Sequence, residues 1–402
     1  MKVNTGHLTY CTNIHPGKNW SDDFKALQEN FPVIKQSVSP DQPLGLGLRL
    51  SNISSLELAK DNALTEFKQW LKENDAYVFT MNGFPYGEFH RIVVKEDVHT
   101  PDWTTDARRD YTIRLFRILQ SLLPEGMDGG ISTSPLSYRH WFKTTDHFEQ
   151  AKRTATLNVV WVIKELITIA KQTGQIMHLD LEPEPDGILE TGREFIDWFE
   201  NDLLPLGIPA IENSFNVTSD EATLLIKKHL CLCYDVCHFA IGFEAHAEVL
   251  KELELKGIKV GKIQISAALK ADLDKPEAEK ESIKSSFQTF NEPTYLHQVV
   301  ALKKDGGLIR YSDLSPALGD FENQETTQWR AHFHVPISIK EIGVLESTQD
   351  DITTVLELQK NAPFTNHLEV ETYTWEVLPE QLKLPIAQSI SNELNWVIKS
   401  NI

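Results

Sequence analysis

Cysteine is scarce in this chain, with four residues in 402. Cys11, Cys231, Cys233 and Cys237 come without a secretory signal, so no disulfide framework is expected. The Cys-x-Cys-x₃-Cys spacing does not fit the common structural zinc sites, and buried reduced thiols are the simpler reading. Long apolar runs are missing too, and no stretch is long enough to span a bilayer. The amino terminus, MKVNTGHLTYCTN, has one lysine and no apolar core, so a cytoplasmic protein is expected. Positive charge is in deficit: 39 basic residues face 58 acidic ones, a net charge of −19. Such a field repels phosphate backbones and anionic surfaces, so nucleic acid and membrane insertion are both set aside. Arg108, Arg109 and Arg114 read as a solvated helix face rather than a basic cleft. Repeats, low-complexity tracts and linkers are also absent, and a single domain over residues 1–402 is expected.

What the chain does have is a repeated alternation of strand and helix. Short β-branched or leucine-rich runs predict strands at Leu8–Thr12, Leu44–Ser51, Tyr77–Met81, Gly130–Thr133, Ile176–Glu182, Leu230–Asp235, Val260–Ser266 and His367–Thr372. Amphipathic segments separate them, among them Asp22–Gln36, Leu56–Asn74, Thr105–Leu122, Phe148–Thr173 and Gly192–Leu203. Strands alternating with helices favour a parallel sheet covered by helices, and eight such units favour closure. The expected fold is therefore α/β, a (β/α)₈ TIM barrel with an elaborated loop insertion before the last strand.

Roughly a hundred residues lie between the seventh and eighth of these strands, far beyond a usual connection. Residues 267–337 read as an inserted lid over the barrel mouth, with a hairpin near Asp305-Gly306-Gly307. The insertion ends in HFHVPI. Either that run folds back onto the active face, or it is itself a barrel strand and one of the eight is not.

Four polar signatures sit just past apolar runs: Glu182 in HLDLEPEPD, Asp235 and His238 in LCLCYDVCHF, His332 and His334 in RAHFHVP, and Glu371 in HLEVETYTW. Carboxylates and imidazoles converging from several strand ends suit a divalent cation. Each has a plainer alternative. Glu182 has Glu184 beside it, Asp235 is suited to capping the next turn, and the two histidines serve equally well as core or solvated rings. Weaker substrate-binding candidates are Asn13 and His15 after the first strand, Asn82 after the third and Arg139 after the fourth, with Lys262, Lys270 and Arg330 as further anion partners. Phe84, Tyr86, Phe89, Trp141 and Trp375 are available to wall a pocket. LGLGLRLS lacks the glycine-lysine pattern of a phosphate loop and reads as a barrel strand.

Several runs carry a resemblance: Leu8-Thr-Tyr-Cys-Thr-Asn-Ile-His-Pro-Gly17, Met81-Asn-Gly-Phe-Pro-Tyr-Gly87, Glu182-Pro-Glu-Pro185, Asp235-Val-Cys-His238, Trp329-Arg-Ala-His-Phe-His-Val-Pro336 and Glu369-Val-Glu-Thr-Tyr-Thr-Trp375. Over nearly the whole chain these resemble the EboE-type metabolite traffic proteins, a branch of the xylose-isomerase-like TIM-barrel superfamily. The resemblance implies metal ligands after strands five to eight: Glu182, Asp235, an imidazole and Glu371. The third departs from the pattern, because GKIQIS puts Gln264 where histidine is expected; His332 or His334 would then supply the imidazole. Zinc, manganese or magnesium would fit. The implied activity is that of a metal-dependent isomerase or epimerase on a sugar, cyclitol or other polyol, free or phosphorylated. Glu182 and Glu371 would move the proton and His238 would hold a substrate oxygen. The alternative is a metabolite-binding protein that performs no chemistry and works with other proteins of its pathway. An endonuclease IV-like activity is excluded by the lack of histidine in MNGFPYG and ISTSPLS.

Overall fold

The computed structural model describes residues 1–88 and 90–400. Eight strands run parallel: β1 Gly6–Tyr10, β2 Leu44–Arg49, β3 Ala76–Asn82, β4 Gly129–Thr133, β5 Met177–Leu181, β6 Leu230–Asp235, β7 Val260–Ile265 and β8 His367–Val370. From β2 to β8 each strand pairs with the next, and β8 pairs with β1. The circle closes between β1 and β2, where Cys11 bridges Gly47 and Thr9 Oγ1 donates to the Gly45 carbonyl at 2.8 Å. The fold is a (β/α)₈ TIM barrel. Its strands are the eight that the apolar runs predict, and HFHVPI is not one of them.

The helices follow from local chemistry. The longest, Thr145–Thr173, starts where the Thr144 side chain accepts from the His147 amide, a cap that contributes about 1 kcal/mol. It stops at Gly174, whose φ of 77° is the left-handed conformation that ends helices. Ala155, Val159, Val162, Ile163 and Leu166 recur at helical spacing and are buried against the barrel. Two expected helices differ. Leu56–Asn74 is two pieces, Asn52–Leu58 and Asp61–Glu73, and Gly192–Leu203 continues through a π turn to Phe215. Arg108 is not on a solvated face. It is fully buried and donates to the carbonyls of Pro101, Gly83 and Phe84.

Most barrels of this kind fill their interior with branched apolar side chains; this one carries charge. Lys262 of β7 donates to Glu369 of β8 at 2.5 Å and to the Met81 carbonyl at 3.3 Å, with both charged side chains fully buried. The glycines of β2 make the room. A Cβ on Gly47 would stand 1.6 Å from Glu369 Oε1, and one on Gly45 2.6 Å from the Phe79 ring. Lys262 is thus an internal counter-ion, not an anion-binding residue.

The insertion is a second sheet, not a loop. Its order is Leu308–Tyr311, Val299–Lys303, Thr326–Val335, Ala267–Asp272, Leu345–Ser347, Glu341–Ile342, antiparallel throughout. It begins one residue after β7 and runs to Ser347, ten residues past the expected boundary at 337. The hairpin at 305–307 is present. Lys270 lies near Glu346 and Asp350, at 3.4 and 3.7 Å.

Candidate metal centre and active site

Glu182, Asp235, Gln264 and Glu371 follow or end β5, β6, β7 and β8, and their side chains meet at one point. Gln264 Nε2 lies 3.1 Å from Glu182 Oε1, 3.0 Å from Asp235 Oδ2 and 2.6 Å from Glu371 Oε2. An amide nitrogen has only two hydrogens and cannot satisfy three carboxylates. The far side of the group is fixed by neutral donors. Asn13 and Asn82 each donate to Glu371 Oε1 at 2.8 Å, and Ser266 donates to Asp235 Oδ1 at 2.6 Å. Glu182 Oε2 is buried with no hydrogen-bond partner among the described residues.

The imidazoles arrive partly from the inserted sheet. In the strand Thr326–Val335, Ala331 pairs with Leu269 and Val335 with Ala267, so four steps on one strand answer two on the other. This bulge takes His332-Phe333-His334 out of the ladder and turns both rings toward the barrel. His334 Nδ1 lies 3.1 Å from the Glu371 carbonyl, and His238 Nδ1 lies 3.0 Å from the Pro183 carbonyl. A carbonyl only accepts, so both Nδ1 atoms carry the hydrogen and both Nε2 atoms of the neutral rings are bare. Gln298 Nε2 donates to the Pro185 carbonyl, which turns its Oε1 to His332 Nδ1 at 2.9 Å and leaves His332 Nε2 bare as well. The Nε2 atoms of His238 and His332 then face each other at 3.1 Å, lone pair to lone pair. Among the described residues His334 Nε2 has no hydrogen-bond partner. Rings anchored through Nδ1 and bare at Nε2 are arranged as metal ligands are.

Burial drives the electrostatics. It pushes the carboxyls of Glu182 and Glu371 well above their usual range, and each is pushed further by Asp235 and by the other neighbouring carboxylates. For Asp235, burial is outweighed by His238 and His334 and by hydrogen bonds from Ser266 and Gln264, which hold it lower. Burial drops His334 to about 4 and lowers His238 and His332, so the rings are neutral near pH 7. Glu182, Glu371 and three neutral imidazoles facing one cavity, with Asp235 joined to the glutamates through Gln264 and lone pairs unanswered, fit a divalent cation.

The cavity, about 60 Å³, is lined by Glu182, Glu371, His238, Asn13 and Asn82 from the barrel and by Tyr295, Gln298, His332 and His334 from the insertion. Phe84 is also in its wall. Three predicted substrate contacts are not in this wall. His15 faces a separate groove and lies 3.4 Å from the Tyr10 hydroxyl. Arg139 is held by Glu190, Glu194 and the Gly187 carbonyl. Arg330 donates to the Ala240 carbonyl, packs its guanidinium on Phe243 at 4.2 Å and faces Asp351. In each arginine the acidic partner cancels the charge that made it a candidate. Tyr86 packs on Tyr111, Trp141 is partly exposed beside Tyr138, Trp375 lines the groove of His15, and Phe89 lies outside the described residues. Sequence reasoning missed Lys95, His99, Tyr295, Gln298 and Tyr373 in the cavity wall, and gave Glu184 no role. His99 Nε2 sits 3.1 Å from Glu184, and Lys95 donates to Asp313 of the insertion at 2.6 Å.

No family profile and no curated protein matches this chain. Solved structures that align with it include the IolI protein with a bound zinc atom, at 14% identity over 98% of this chain and 97% of that one, TM-score 0.46. Another is the probable 3-DHS dehydratase AsbF of Bacillus anthracis, involved in petrobactin synthesis, at 8% identity over 98% of both chains, TM-score 0.43. A third is a xylose isomerase-like TIM-barrel protein of Mycobacterium smegmatis in complex with magnesium, at 10% identity over 100% of this chain and 98% of that one, TM-score 0.45. At these identities and scores, the chemistry of the site rests on its own residues.

Proposed function

We propose that the protein is a metal-dependent isomerase or epimerase for a sugar, cyclitol or related polyol, free or phosphorylated. The observation that carries this reading is the convergence of two buried glutamates, Glu182 and Glu371, with Asp235 on one cation-seeking point. Glu182, Asp235 and Glu371 would hold a zinc, manganese or magnesium ion, with His334 as the imidazole ligand and Gln264 or His332 beside it. When bound, the ion would polarise a carbonyl and its neighbouring hydroxyl. Glu182 and Glu371 flank the reacting carbon, one removing a carbon-bound proton and the other returning it. His238 offers its bare Nε2 to a substrate hydroxyl. Asn13 and Asn82 fix the Glu371 rotamer and face the substrate. The inserted sheet acts as a lid: the segments around Tyr295–Gln298 and His332–His334 cover the cavity and would exclude water from a bound substrate.

The EboE-type resemblance extends the proposal to a natural-product precursor handled in the cytoplasm, in concert with other proteins of the same pathway. One observation favours a second reading. Gln264 Nε2 lies within reach of all three carboxylates where an imidazole was expected, an arrangement that serves a protein binding its metabolite without turnover. Exchange of substrate hydrogen with deuterated water separates the two. Free and phosphorylated sugars and cyclitols are incubated with the protein and weighed by mass spectrometry. The enzyme reading expects a one-deuteron gain in a ligand that also raises the melting temperature. Glu182→Gln and Glu371→Gln should abolish the exchange and keep most of the binding. Ligand stabilisation with no mass gain would establish the carrier.

A further inference from the structure

The opposite end of the barrel holds a second cluster that the proposed chemistry does not use. Asp128 stands just before β4, His178 is the second residue of β5, and His367 is the first residue of β8. His178 Nδ1 lies 2.6 Å from Asp180 Oδ1, a fully buried carboxylate, so Nδ1 carries the hydrogen and Nε2 turns outward. That Nε2 is 3.8 Å from Asp128 Oδ2, and His367 Nε2 is 3.5 Å from Asp128 Oδ1. Both separations exceed a hydrogen bond. They are close to the spacing of ligands sharing one ion, about 3.3 Å for bonds of ~2.0 Å at tetrahedral angles. His367 is 1% exposed, and among the described residues neither of its ring nitrogens makes a close hydrogen bond, the nearest acid being Asp128 at 3.5 Å. The ligand atoms of the three residues all lie within 4.8 Å of one another.

The site is built rather than incidental. A Cβ on Gly261 would stand 1.9 Å from Asp180 Oδ1, and one on Gly130 2.5 Å from His178 Cε1, so two strands give up side chains to house the Asp180–His178 pair. A carboxylate behind the Nδ1 of a histidine is the usual support of a metal-binding imidazole. A groove of about 350 Å³, lined by Asp128, His178, Lys228 and Lys259 among others, opens beside it, so the cluster is reachable from outside.

We propose that Asp128, His178 and His367 form a second divalent-cation site, of zinc type by its two nitrogens and one oxygen, tying β4, β5 and β8 together at the amino-terminal end of the barrel. It is independent of the upper site and of the function proposed there. The test uses the full-length Asp235→Ala protein, in which the upper site is disabled, stripped with chelator and titrated with zinc. The expected result is one zinc per chain, a higher melting temperature with zinc, and visible absorption bands on replacing zinc by cobalt(II). In that background His367→Gln should weaken zinc binding at least tenfold and abolish the thermal gain. Asp128→Asn, at a partly exposed position that the fold tolerates, should do the same and decides the matter if His367→Gln does not fold. Absence of zinc binding in Asp235→Ala, or equal affinity in Asp128→Asn, would overturn the site and leave His178 as an imidazole paired with two carboxylates.

Discussion

Two layers of the same barrel, one pleat apart on the same two strands, handle buried carboxylates in opposite ways. In the middle layer Lys262 of β7 meets Glu369 of β8, charge against charge, in a closed pair. One step up, Gln264 of β7 meets Glu371 just past β8, and Glu182 and Asp235 join them. The donor there is neutral, the acceptors are three, and a cavity adjoins. A buried carboxylate with a cationic partner is structure; several carboxylates sharing one amide, with bare imidazole nitrogens around them, leave a charge for something else to balance.

Breaking the middle pair should have the largest effect. Lys262→Met leaves Glu369 buried and uncompensated, and a loss of about 3–5 kcal/mol is expected in denaturant unfolding. A much smaller loss would mean that the two layers are not different in kind.

Glu393 sharpens the contrast from a third place, since it is buried away from the cavity and meets only neutral donors, Thr372 Oγ1 at 2.7 Å and the Ile337 amide at 3.0 Å. Burial raises it to about 7 in spite of those bonds. A raised carboxyl contributes stability that is fully present below its unfolded value near 4.5 and is lost as pH rises through about 7. Unfolding followed from pH 4.5 to 8 should show this loss, about 3 kcal/mol at its full extent, and Glu393→Gln should remove it. An identical pH profile in the variant would contradict the assignment.

Next in size, Asn82→Ala removes one of the two amides holding Glu371 Oε1. Metal affinity, read by titration against a competing chelator, should fall roughly 10–100-fold with the fold intact. The smallest expected effect is a gain: Gln264→His replaces a neutral amide by imidazole and should tighten zinc binding roughly a few-fold. Weaker binding would mean that the amide is part of the ligand set as it stands.

The barrel was legible because each strand is a short apolar run bounded by turn residues, as strands buried on both faces of a parallel sheet are. Glu182, Asp235 and Glu371 were legible because a carboxylate directly after such a run falls at the carboxyl end of a strand. The inserted sheet was not, because its strand Ala267–Asp272 continues β7 almost without a break and the hairpin at 341–347 is only a few residues long. The bulge that delivers His332 and His334 depends on the register against Ala267–Leu269, which no local pattern shows. Arg139 and Arg330 misled for the same reason: Glu194 and Asp351 lie 55 and 21 residues away along the chain. Lys95, His99 and Gln298 come to the cavity from long connections, where composition gives no hint of direction.

The central claim, that the upper layer holds a divalent cation, is tested most directly by the metal content of protein purified without added metal. Wild type and Asp235→Ala are compared by elemental mass spectrometry, with melting curves taken with and without chelator. The account predicts one equivalent fewer of divalent ion per chain in Asp235→Ala, together with a smaller response of the melting temperature to chelator than in wild type. Equal metal content in the two proteins, with the same response to chelator, would contradict it.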